Sequence, residues 1–180
     1  MKPLHFEIVI RAPRERVWRT MLDPDTYRIW TAEFAPGSYY EGSWEQGARI
    51  RFLAPDGGGM TAVIEENRPF EHISIRHLGE IRNGVDDTES DAVKSWAGDA
   101  FERYTLREVD GITHLEVTCD VTPEYEAMMN DMWPRALQRL KTLVETGKTF
   151  SEQTGTTFRR FRAWKRARGL MRMVGNNLNL

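Results

Sequence analysis

The sequence has one cysteine, Cys119, which excludes an internal disulfide and any multi-cysteine metal site. Cys119 continues the apolar alternation of residues 115–119 (LEVTC), the setting of an inert buried thiol rather than a nucleophile. Long apolar runs are missing too, and none approaches the ~20 residues a membrane-spanning helix needs. Residues 1–13 (MKPLHFEIVIRAP) lack the organisation of a signal peptide and read as a strand, so a cytoplasmic location is expected. The four histidines, His5, His72, His77 and His114, have no metal-ligand spacing, so no metal site is expected. Gly57-Gly58-Gly59 lacks the Lys-Ser/Thr ending of a phosphate loop, and Ser43 and Ser74 have no nucleophile-elbow context. No catalytic signature emerges and no cofactor is implied.

What is present fits one ordinary globular domain: 180 residues, 40% hydrophobic and 11% aromatic. The net charge of −2 conceals a split. Residues 1–145 carry 17 Lys and Arg against 26 Asp and Glu, whereas residues 146–180 carry 8 against 1. An acidic body with a basic tail suggests a domain over 1–146 and an extension over 147–180.

The longest helical pattern covers residues 123–145. Tyr125, Met129, Met132, Ala136, Leu140 and Leu143 follow steps of three and four, with most charges elsewhere. Thr122 is a candidate N-cap, Pro123 suits the first position and Gly147 supplies a stop. Pro134 removes one backbone hydrogen bond and predicts a kink, or a break into two helices, near residues 130–133.

Before that helix the chain alternates as strands do. A strand over 4–11 is followed by a short helix over 14–22, and residues 23–30 read as a turn followed by a second short helix, with Asp23 as a cap and Pro24 in its first turn. Strands then follow over 39–44, 48–53, 60–67, 71–78, 101–109 and 112–121, separated by turn residues such as Asp110-Gly111. Short links favour antiparallel neighbours. Ile50, Phe52, Met60, Ala62, Ile64, Ile73, Ile75, Tyr104, Leu106, Leu115, Val117 and Cys119 share the buried face. Arg49, Arg51, Glu65, Arg76, Glu116 and Thr118 share the wet one. Residues 79–100 break this pattern with six acids, the length and composition of a lid or binding loop. Trp96 within it either caps a cavity or anchors the loop on the sheet.

The element order β-α-α-β6-α is that of an α+β helix-grip fold, about seven antiparallel strands curved around a long C-terminal helix. Residues 10–18 (IRAPRERVW), 41–47 (EGSWEQG), 59–62 (GMTA) and 132–140 (MWPRALQRL) carry a family resemblance. On these motifs the chain resembles the START-like (SRPBCC, polyketide-cyclase-like) superfamily, in the branch similar to the heat-shock-protein-90 ATPase activator. The resemblance implies an apolar cavity between sheet and long helix, over about residues 4–145.

Candidate ligand-binding residues on that arrangement are Trp30, Phe34, Trp44, Phe52, Met60, Ile75, Trp96, Tyr104, Met129 and Trp133. Aromatic and apolar lining suits a small-molecule pocket, and equally a filled core. Extending the alternation turns His77 and Glu102 inward, as a polar end or an acid–base pair. The first reading is therefore binding of an apolar or amphipathic small molecule. A co-chaperone-like protein-interaction module is the second, and a cyclase- or dehydratase-like enzyme using His77 and Glu102 the third.

In the tail, residues 158–173 (FRRFRAWKRARGLMRM) carry seven basic residues and no acids, with Phe158, Phe161, Trp164, Arg168, Met171 and Val174 recurring at helical spacing. Docking on the acidic body of its own or a second copy is the leading reading, ahead of membrane-surface contact or another partner. No specific nucleic-acid partner is expected.

Overall fold

A computed structural model describes residues 1–147. The tail expectations therefore lie outside the described residues. Strand β1 (Lys2–Ile10) leads into helices α1 (Arg14–Leu22) and α2 (Pro24–Trp30) and a one-turn 3-10 helix, Thr31–Glu33. Asp23 caps α2 by accepting the N–H groups of Asp25 and Thr26, with Pro24 at the first helical position. There follow β2 (Tyr39–Gly42), β3 (Arg49–Leu53), β4 (Gly59–Arg68), β5 (His72–Arg82), β6 (Val85–Asp87), α3 (Asp91–Lys94), β7 (Phe101–Val109), β8 (Ile112–Val121) and α4 (Glu126–Thr146).

All strand pairs are antiparallel, in the order β1-β8-β7-β5-β4-β3-β2, with β6 also pairing to β5. This is the helix-grip arrangement, an open eight-stranded sheet under one long helix. The inner-face residues read from the alternation are buried as expected, including Ile50, Ile64, Ile73, Ile75, Leu115 and Val117, except Phe52 and Met60, which are partly covered. Against them α4 sets Met132, Trp133, Ala136, Leu137, Leu140, Leu143 and Val144. The helix is tied to the 3-10 turn by Glu33, which accepts from Arg135 Nε at 2.9 Å and Arg139 Nε at 2.6 Å.

Four expectations need correction. The sheet has eight strands rather than about seven, because β5 runs on to Arg82 and returns through Asn83-Gly84 into β6. Both turn residues have positive φ, 50° and 78°, the requirement of a type I′ hairpin. Second, residues 79–100 are consequently not an unstructured lid, and several of their acids are spent on structure. Asp86 binds Arg51 Nε at 3.0 Å, Glu80 binds Arg82, and Asp87 accepts the backbone N–H groups of Glu89 and Ser90. Third, strand β2 ends at Gly42, so Trp44 lies in the following turn. Fourth, α4 continues through Pro134 as one helix rather than two, because the proline occupies the solvent side, where the freed carbonyl of Asn130 can meet water. The start also differs in detail: Pro123–Tyr125 is a 3-10 turn, and Thr122 makes no side-chain cap bond. Gly147, at φ 66°, ends the helix as expected.

Gly79 is where β6 closes on β5. A Cβ there would stand 2.2 Å from the carbonyl oxygen of Asp87. Gly79→Ala is therefore expected to push β6 off the sheet, at a cost of about 1–3 kcal/mol. Faster hydrogen exchange confined to Val85–Asp87 and its partners checks this; unchanged protection there contradicts it.

Candidate functional site

Aromatic side chains from helices, strands and connecting segments meet between sheet and helix. From α4, Trp133 stacks on Phe6 of β1 at 5.7 Å between ring centroids and meets Phe34 edge-on at 4.8 Å. It also contacts Tyr104 of β7 at 6.0 Å and Trp30 of α2 at 6.4 Å. Trp30 leads to Tyr27 at 5.6 Å, and Tyr27 to Tyr40 at 5.1 Å, Trp44 at 6.2 Å and Phe52 at 6.3 Å. Phe52 then reaches the imidazole of His77 at 6.3 Å. Edge-to-face and offset contacts of this kind are the favoured aromatic geometries.

Seven of the twelve expected site residues belong to this one network: Trp30, Phe34, Trp44, Phe52, His77, Tyr104 and Trp133. Ile75 is buried beside them, opposite Glu102 in the β5–β7 register. Met129 packs on the core from the first turn of α4. Met60 shares the inner face with Phe52, its direct β3–β4 partner. Trp96 is set apart: it is half-buried past α3, and among the described residues it makes no ring contact with the network. Val93, fully buried, is the side chain that anchors this segment. Phe6, Tyr27 and Tyr40 were missed by the sequence reading. The spacing Tyr27–Trp30–Phe34 was the available signal for the second, since three and seven residues return to one helical face.

Two polar groups stand on the aromatic floor. Glu102 accepts a short hydrogen bond from the Tyr104 hydroxyl through Oε1. Burial raises its carboxyl to about 7, only partly offset by that bond. Burial likewise lowers the His77 imidazole to about 4, and its Nδ1 is enclosed without a hydrogen-bond partner among the described residues. His77 lies two residues beyond the Ile75–Glu102 pair, a diagonal sheet neighbour of Glu102 at roughly 7–8 Å between Cα atoms. The hydrogen bond of Glu102, however, goes to Tyr104 and not to His77. Cys119, the direct β8 partner of Glu102, is pushed up to about 12 by burial, as an inert thiol should be. Among the described residues no group of three or more His, Cys, Asp or Glu side chains could hold a metal, and no helix is long and apolar enough to cross a membrane.

Comparison with known proteins bears on this architecture. The solution structure of the Aha1 dimer from Colwellia psychrerythraea superposes with a TM-score of 0.61 at 21% identity, covering 82% of this chain and 99% of that one. CalU16 from Micromonospora echinospora gives 0.55 at 18%, covering 92% and 87%. DynU16, from the dynemicin biosynthetic locus, gives 0.60 at 18% over 83% of this chain, which spans only 49% of DynU16. These likenesses show the fold. No curated protein matches the sequence. Residues 11–145 match the family model described as Activator of Hsp90 ATPase homolog 1-like protein, and the chain belongs to that family, within the START-like superfamily.

Proposed function

We propose that the chain binds an apolar or amphipathic small molecule in a recess between the inner sheet face and α4. The observation that carries this reading is the double character of Glu102 and His77. Desolvation by the surrounding protein strongly shifts both groups, yet each keeps accessible surface. That combination suits groups at the border of a recess better than groups inside a solid core. Phe34, Phe52, Met60 and Met129 are likewise only partly covered, although helices lie over the sheet face they occupy or adjoin. Rings and thioethers with a few polar groups make up the usual small-molecule lining. A co-chaperone-like role draws support from the family description alone.

Native mass spectrometry of the purified full chain tests the reading. The expected result is a population heavier than the 20.9 kDa polypeptide, which loses a discrete small mass on denaturation. A bare-chain mass, together with no uptake of an added hydrophobic fluorophore, overturns it.

A further inference from the structure

The recess has a carboxylate and no cation to face it. Among the described residues Glu102 takes part in no ion pair, and Tyr104 is its sole hydrogen-bond partner. Its other oxygen, Oε2, has no partner among the described residues. The groups around it are Tyr104 from its own strand, Cys119 from β8, Tyr27 from α2, Tyr40 beyond Tyr27, and His77 from β5 with Asp120 behind it. From α4 comes the ring of Trp133, with no titratable group. The arginines of α4 are directed to Glu33.

None of these neighbours is positive. The phenols of Tyr27 and Tyr104 and the thiol of Cys119 are held in their neutral forms by burial, and so is His77. Both remaining features of the recess favour positive charge. Ring faces are electron-rich and attract cations, and a carboxyl oxygen without a donor lacks its natural counterpart. A neutral ligand would leave the Glu102 carboxylate without a counter-charge, and an anion would be repelled.

We propose that the recess accepts an organic cation: a protonated amine on a hydrophobic body, its ammonium on Glu102 beside the Tyr104 hydroxyl and its body against the partly covered side chains that border the recess, Phe52 and Met129 among them. This rests on the binding role proposed above and specifies its ligand chemistry. The raised carboxyl is consistent with it, since a cation removes the penalty that now keeps the proton on. Binding must then expel that proton.

Isothermal titration of the full chain with phenethylamine, phenethyl alcohol and phenylacetate separates the cases. The amine is expected to bind about tenfold or more tighter than the alcohol, with phenylacetate weakest. Titration in buffers of different ionisation enthalpy should show release of about half a proton at about pH 7. Glu102→Gln is expected to abolish both the preference for the amine and the proton release. Alcohol or phenylacetate binding as tightly as the amine overturns the cation proposal and leaves the binding role standing. Failure of all three probes overturns both. Should the variant not fold, the unsubstituted chain decides, because amine binding without proton release also overturns the proposal.

Discussion

Trp133→Ala is expected to lower the unfolding free energy by about 3–5 kcal/mol, the range for removing a fully buried large aromatic. Trp133 is 2% exposed and is the point where four ring contacts meet, from Phe6, Trp30, Phe34 and Tyr104. Those partners come from β1, α2, the segment after the 3-10 turn and β7, so the cavity left behind has walls on four separate pieces of chain. No single neighbour can collapse into it, which places the cost at the high end of such substitutions. A domain of this size holds only about 5–15 kcal/mol in total, so a large part of its stability is at stake. Met129→Ala on the same helix removes a half-covered side chain and should cost less than half as much. Urea unfolding monitored by circular dichroism measures both. A loss of under about 1 kcal/mol for Trp133→Ala would mean that the rings do not form a continuous core.

The second large effect is a pH dependence with an unusual sign. Most paired carboxylates have depressed values and stabilise at high pH; Glu102 is raised from 4.5 to about 7. The native state therefore holds a proton that the unfolded chain gives up, and stability falls as pH rises between those two values. His77 moves the opposite way, from 6.5 down to about 4, so the unfolded chain holds the extra proton and stability falls as pH drops through that window. Each window is worth roughly 3 kcal/mol by linkage. Where the windows overlap the slopes cancel, and these two groups leave a plateau in mildly acidic solution. Glu102→Gln is expected to remove the alkaline decline, making the variant more stable than the natural chain by roughly 3 kcal/mol at about pH 8. His77→Phe should remove the acid-side decline instead. Denaturation midpoints against pH for the three proteins decide the matter. A Glu102→Gln profile parallel to that of the natural chain would contradict it.

The parts of the fold that were legible in the sequence are those where burial is one-sided. Alternation such as Ile73 and Ile75, or Leu115, Val117 and Cys119, identified the inner face because solvent takes every second residue. The short strand β6 escaped because Val85 is exposed and Asp86 and Asp87 carry charge, so no apolar alternation marks it. Its signal was the Asn83-Gly84 pair, a turn preference that acts through backbone φ and leaves no trace in hydropathy. At the candidate site, side chains on sheet and helix faces were placed well, since period fixes their direction. The exchange of partner at Glu102 was not, because alternation sets which way a carboxylate points and not whether Tyr104, two residues along, reaches it before His77 does.

The pairing of β1 with β8 has a bearing on how the chain is made. Lys2 lies opposite Val121 and Ile10 opposite Thr113, so β1 leaves the ribosome well ahead of a partner about a hundred residues behind it. At usual rates of synthesis that delay is roughly 5–20 s. Throughout it Leu4, Phe6, Ile8 and Ile10 have neither β8 nor α4 to cover them, and this nascent strand is open to other chains. The interleaved His5 and Glu7 and the flanking Lys2 and Arg11 are well placed to discourage such encounters, acting on an intermediate that no longer exists once Thr146 has joined the helix.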